Sequence, residues 1–267
     1  MADPLVPPPA KSNELRTRII VGVILITAAV LAEYFGGLFL WLLVVLMALG
    51  IMSEWARLTG RQDNRLLSMY ALSVPLAIMS PWAAGPSFLA LGLIMGAAMF
   101  VAVFDRSIKL AVGVLYAGLP ALAIIYLRDI DNGILIVFWT LALVWATDIG
   151  AYFSGRAIGG PKLAPQFSPN KTWAGLIGGV LLTAIVSFVL HIYWGLPFKL
   201  VLLSVPLAVL AQMGDLFESW LKRKAGAKDS GTIFPGHGGV MDRLDGLIPV
   251  APVVAAIMLF DNLPTAS

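Results

Sequence analysis

The 267-residue chain contains no cysteine, and that one absence removes several chemistries. There is no disulfide framework and no thiolate nucleophile. Thiolate metal sites, iron–sulfur clusters and cysteine-ligated haem are excluded with them. Charge is scarce too: Asp, Glu, Lys and Arg make up 12% of residues, where a soluble domain carries about 25%. Histidine occurs only twice. What is abundant is hydrocarbon, with 59% hydrophobic residues and a mean hydropathy of +0.89. That composition describes an all-α polytopic integral membrane protein. The formal charge of +3 says less than the positions of the charges.

Residues 1–18, MADPLVPPPAKSNELRTR, read as a Pro-rich, then basic, tail. The apolar run after it lacks a small-residue cleavage site followed by a soluble domain. GLFLWLLVVLMALG follows almost at once, so the run reads as a retained first span. A span needs about 20 mostly apolar residues. Nine segments are expected to qualify: 19–34, 37–54, 67–84, 87–104, 110–127, 132–151, 174–194, 198–217 and 246–262. With a cytoplasmic N-terminus, every Lys and Arg except Arg128 and Lys199 falls on the cytoplasmic side. This is the positive-inside asymmetry. The same orientation puts the long polar loops in the cytoplasm and leaves only GPSF, RDIDNG and WGLPF outside. A receptor role is therefore disfavoured, and the lack of a visible internal repeat weighs against an inverted-repeat transporter. Trp55, Trp82 and Trp194, near span ends, are expected as interfacial anchors, and His191 as an interfacial residue.

Ionisable residues in or beside spans are functional candidates by default. Asp148 lies near the end of the sixth segment, Asp215 and Glu218 near the end of the eighth, and Glu54 at the end of the second. Asp242 and Asp245 introduce the ninth. Helical spacing puts Asp215, Glu218, Ser219 and Lys222 on one face, Asp242 with Asp245, and Asp148 with Tyr152. Acids converging at one depth would repel. A hard cation relieves that repulsion, and Mg²⁺ brings substrate phosphates with it. The alternative is that each acid pairs with a nearby Lys or Arg as an interfacial anchor, and Glu54 and Glu218 suit that role best.

The loop AYFSGRAIGGPKLAPQFSPNKTWAGLIGG, residues 151–179, has a different character. Gly155, Gly159 and Gly160 permit close backbone approach to a ligand. Arg156, Lys162 and Lys171 can hold phosphate. Ser168, Asn170 and Thr172 are candidate caps or phosphate donors at the next helix, whose N-terminus suits an anion. An ordinary basic loop with a helix cap explains the same residues. The glycines of a phosphate-binding GxxxxGK[ST] loop are missing before NKT. Carboxylates, glycines and cations on one membrane face are the equipment of phosphoryl or nucleotidyl transfer.

The stretch SWLKRKAGAKDSGTIFPGHGGVMDRLD, residues 219–245, goes further. It resembles the signature of the phosphatidate cytidylyltransferase (CDP-diglyceride synthase) family. Every fixed position is present: Ser219, Lys222, Arg223, Lys228, Asp229, His237, Gly238, Gly239, Asp242, Arg243 and Asp245. GDLFES and TDIGAYFSGRAIGGPKLAPQFSPNKTWAG look like the same family, so the detailed resemblance spans about residues 141–262. It implies a homodimeric enzyme of the bacterial inner membrane. The reaction would be CTP plus phosphatidate giving CDP-diacylglycerol and pyrophosphate, assisted by Mg²⁺ alone or with a second cation.

Under that resemblance Asp215, Asp242 and Asp245 hold the metal, and Asp148 either completes the metal site or fixes a neighbouring cation. Lys222, Arg223 and Lys228 hold triphosphate or lipid phosphate, with Ser168 and Lys171 across the cavity. Ser219, Asp229, Arg243, Gly238 and Gly239 complete the binding positions. His237 binds phosphate, protonates the leaving pyrophosphate or locks its loop. The expected organisation is a tail (1–18), N-terminal helices (19–130) and a catalytic region (131–267) with cytoplasmic loops 152–173 and 218–245. Membrane lipids are expected partners and nucleic acid is not. A CTP-dependent lipid kinase would release CDP instead of pyrophosphate, and a transporter of a phosphorylated solute would give flux without a covalent product.

Overall fold

The computed structural model describes residues 11–234 and 238–262. Among these, helices account for nearly everything: α1 (Lys11–Phe35), α2 (Gly37–Leu58), α3 (Arg65–Ile78), α4 (Phe88–Phe104) and α5 (Ile108–Asp129) form the first half. The second half comprises α6 (Gly133–Ile158), α7 (Trp173–Trp194), α8 (Phe198–Lys224), the one-turn α9 (Met241–Leu244) and α10 (Leu247–Asn262). A small antiparallel hairpin, β1 (Lys162–Ala164) and β2 (Ser168–Thr172), joins α6 to α7 and is the one departure from an all-α expectation.

Each of the nine apolar segments lies on a helix, but they do not all make spans. Among the described residues, five helices are long and apolar enough to cross a membrane: α2, α5, α6, α7 and α8. The apolar parts of α1, α4 and α10 are shorter. The expected span 67–84 is the clearest miss. α3 stops at Ile78 after 14 residues, a rise of about 21 Å against the roughly 30 Å of a hydrocarbon core. Its helix ends in a run of turns through Pro81 and Gly85.

Local chemistry sets several boundaries. Ser87, Ser107 and Thr172 cap α4, α5 and α7 by accepting the amides of Ala90, Leu110 and Gly175. Such caps satisfy amides that a helix start leaves open. α5 is the central post, packed by α2, α3, α4, α6 and α10. Large apolar side chains such as Phe39, Leu46, Met99, Val103, Leu181 and Ile185 point outward, as on a lipid-facing surface.

α6 and α7 pack closest. A methyl on Gly150 would lie 2.6 Å from the Gly178 carbonyl oxygen, and one on Gly179 would lie 2.7 Å from that of Thr147. Small residues let helix backbones approach in this way inside membranes. The seam carries polar links as well: Thr147 to Thr183 at 2.9 Å, and Trp139 Nε1 to Ser187 Oγ at 2.9 Å.

Trp55 differs from expectation. It is only 4% exposed, its indole N–H donates to the Lys109 carbonyl at 2.8 Å, and it fills the space left by Gly113. The ring therefore joins α2 to α5 instead of sitting at the interface. Trp82 and Trp194 are exposed. The ring of His191 contacts the Leu196 carbonyl through Nδ1 at 2.6 Å, closing the turn after α7.

Candidate active site

A polar cavity of about 540 Å³ opens between α6, β2, α7 and α8. Asp148, Tyr152 and Arg156 line it from α6, Asn170 and Lys171 from β2, and Gln212 and Asp215 from α8. Helical spacing explains the α6 contribution, since three- and four-residue steps share a face. Arg156 donates to the Tyr152 hydroxyl at 2.8 Å. Lys171 forms an ion pair with Asp215, and Ser219 donates to the same carboxylate at 3.4 Å.

The segment from α9 into α10 packs against α8, which carries Asp215. Gly214 makes this possible: a methyl there would run into the Asp245 carbonyl and lie 2.7 Å from Pro249 Cγ. With hydrogen in its place, the segment from α9 to α10 lies against α8 and brings Asp245 beside Asp215. Burial pushes the Asp245 carboxyl up to about 7, and the charges of Asp215 and Asp148 add to the rise. The Gly246 amide, donating at 2.7 Å, and Lys171 only partly oppose it. Arg243 and Lys171 both act electrostatically on Asp148.

Asp242 points elsewhere. Its Oδ2 accepts the amides of Ser230 at 2.7 Å and Gly239 at 2.8 Å, and lies 2.8 Å from the Ser230 hydroxyl. Its Oδ1 accepts from Lys222 at 2.6 Å. Burial alone would raise this carboxyl, but Lys222 and the amide and hydroxyl donors hold it down to about 2. The expected trio of Asp215, Asp242 and Asp245 is thus not brought together. Asp242 ties its loop, and the acids that feel one another around the cavity are Asp148, Asp215 and Asp245. Among the described residues, no three acids or histidines form a ready-made metal cluster.

The other candidates divide similarly. Lys222 serves Asp242 and lies 3.4 Å from the buried Glu218. Arg223 donates to the Ala227 carbonyl at 3.3 Å, closing the end of α8. Lys228 and Asp229 are exposed, and Arg243 is exposed on α9. Gly238 adopts a left-handed φ of 81° and sits against Asp242. Gly239 presents its amide to the same acid. Ser168 lies on β2 opposite Ala164, away from the helix start, so the cap is Thr172 alone. A methyl on Gly155 would lie 3.0 Å from Thr172 Oγ1, while Gly159 and Gly160 supply left-handed turns out of α6. His237 lies outside the described residues.

Two residues of the N-terminal half reach this region and were not anticipated there. Glu54, 4% exposed, accepts the amides of Val240 at 2.8 Å and Met241 at 2.9 Å, and the Ser230 hydroxyl at 2.8 Å. Arg57 donates to the carbonyls of Asp229 and Ser230. The spacing of Gly50, Glu54 and Arg57 on one face of α2 was the available signal.

A sequence profile of the cytidylyltransferase family matches residues 16–261. The chain belongs to that family. Phosphatidate cytidylyltransferase of Brucella suis biovar 1 (strain 1330) is 38% identical over 269 aligned positions, covering 95% of this chain and 98% of its own. The Rickettsia bellii (strain RML369-C) phosphatidate cytidylyltransferase is 32% identical, covering 91% of this chain and 90% of its own. The Bacillus subtilis (strain 168) phosphatidate cytidylyltransferase is 39% identical over 153 positions, 56% of this chain and 57% of its own. These cytidylyltransferases are nucleotidyltransferases, and the chain is homologous to the Brucella and Rickettsia proteins over nearly its whole length. In this cytidylyltransferase, residues of the 151–179 loop and Gln212 and Asp215 of α8 line one cavity with Asp148.

Proposed function

We propose that this protein transfers cytidylate from CTP to phosphatidate, producing CDP-diacylglycerol and pyrophosphate. The observation that carries the reading is the near full-length match to phosphatidate cytidylyltransferases, on a chain whose polar cavity joins acids to cations. The lipid phosphate is already an anion, so no strong base is required of the protein. Its oxygen bonds to the α-phosphorus of CTP as the bond to the β-phosphate breaks, and pyrophosphate departs. Positioning and electrostatics do most of such work. Lys171 and Arg156 on the cavity wall hold phosphate charge, and Arg243 acts on Asp148 nearby. Tyr152, Asn170 and Gln212 offer hydrogen bonds to the nucleotide.

The donor set suits Mg²⁺. Asp148, Asp215 and Asp245 present only oxygen, and their mutual repulsion calls for positive charge. Mg²⁺ is commonly held by one or two carboxylates plus phosphates and water, so a preformed three-acid cage is not required. When bound, it would supply positive charge to the phosphates as charge develops. Asp242, engaged by Lys222 and by the Ser230 and Gly239 amides, would keep its loop in register.

The same reading places the catalytic work in residues 131–267, with loops 152–173 and 218–245 on the cytoplasmic side of the inner membrane. The concentration of Lys and Arg on that side supports the orientation. A homodimer completes it. Turnover of labelled CTP by purified protein, with and without phosphatidate at fixed Mg²⁺, tests it. Cytidylate should enter lipid in wild type and fail to do so in Asp245→Asn. Release of CDP with phosphorylated lipid would refute the transferase reading.

A further inference from the structure

We infer that Glu54 of α2 is a positioning residue for the site, which makes the N-terminal half part of the catalytic apparatus. Its carboxylate sits among donors alone: the Val240 amide on Oε1, and the Met241 amide and Ser230 hydroxyl on Oε2. Arg57, one turn further, grips the opposite polarity through the carbonyls of Asp229 and Ser230. α2 thus clamps both backbone senses of a loop that also donates to Asp242 through Ser230 and Gly239.

The approach is built for this acid. Methyl groups on Gly231 or Gly239 would collide with Glu54 Oε1, and Gly50 receives the Val240 side chain, 2.8 Å from where its own methyl would stand. Val240 and Met241 lead into the one turn that presents Asp242, and Asp245 follows it. Ser230, fully buried, joins the two acids, lying 2.8 Å from Glu54 Oε2 and 2.8 Å from Asp242 Oδ2. A glutamine could not replace the acid silently. Its amide nitrogen is a donor and would face another donor on one side.

The kinetic part of this inference rests on the proposed cytidylyl transfer, and the test has a separate part that does not. Backbone hydrogen exchange and steady-state kinetics are compared for wild type and Glu54→Gln, each monodisperse in detergent. The Val240 and Met241 amides should exchange at least tenfold faster in the variant. Turnover per folded molecule should fall at least tenfold, while KM for CTP stays within threefold. A packing role alone would lower yield and melting temperature but leave turnover per folded molecule within twofold, and that result overturns the inference. Unchanged exchange overturns it as well. If Glu54→Gln does not fold, Ser230→Ala decides, with a fall in turnover of threefold or more expected and none refuting. If wild type itself does not turn over CTP and phosphatidate, the transfer reading fails, and the exchange comparison alone decides whether Glu54 holds the loop.

Discussion

Gly214→Ala is the sharpest perturbation of the proposed site, because it adds one methyl and touches no charge. That methyl would lie 2.7 Å from Pro249 Cγ and press on the Asp245 carbonyl. Ordinary contact begins near 3.4 Å, so α10 and the residues before it must retreat by more than about 0.7 Å. Overpacking of this kind costs about 1–3 kcal/mol, and both obstacles are backbone or proline ring, which cannot swing aside. The larger effect should be catalytic. Asp245 would move relative to Asp215, and misplacement of about 1 Å can cost on the order of 10²-fold in rate. We therefore expect kcat/KM for cytidylate incorporation into lipid to fall about 10²-fold in protein that still purifies as a folded species. Gly92→Ala is the control, since nothing lies within 4 Å of the added methyl. The reasoning is refuted if folded Gly214→Ala retains activity within threefold of the control.

Three further expectations follow from the geometry. Replacing Lys171 by Met should leave Asp215 uncompensated beside two other acids and lower kcat/KM by about 10²–10³-fold, read in the same incorporation assay. The Asp242 carboxyl is held at about 2 against an ordinary 3.8, so its contribution is present above about pH 4 and is lost as pH falls through 2. The stability difference between wild type and Asp242→Asn should accordingly be about 2 kcal/mol at neutral pH and vanish near pH 2, as followed by thermal unfolding in detergent. Thr172→Ala removes the α7 cap and should cost about 1 kcal/mol, visible as a lower melting temperature.

The sequence made the helical segments legible because burial in hydrocarbon requires long apolar runs, and such runs are local. It made the 219–245 signature legible because residue types at fixed spacing carry that resemblance. The partners of Glu54 were not legible: it stands 186 residues from Val240, and helical periodicity has no reach across such a separation. The partners of Asp242 were not legible for a related reason. Its spacing from Asp245 puts the two on one helical face, but the helix is a single turn, and the Ser230 and Gly239 amides turn the first acid back into its own loop. Trp55 looked interfacial because it ends a span, whereas Gly113, 58 positions later, leaves the notch that buries it. α3 failed as a span because its apolar character continues past the last helical turn into Pro- and Gly-bearing backbone.

The seam between α6 and α7 has a consequence for how the enzyme handles its substrates. Where Gly150, Gly175 and Gly179 meet the facing helix, the contact is main chain on main chain. Such a joint has few rotamers to exchange, so this wall of the cavity cannot widen by side-chain rearrangement. The two helices should travel as one plank. Admission of the lipid and departure of its product then fall to the cavity's other lining elements, β2 and α8. The wall that carries Asp148 is the stiff one, and any widening must come from the side that carries Lys171 and Asp215.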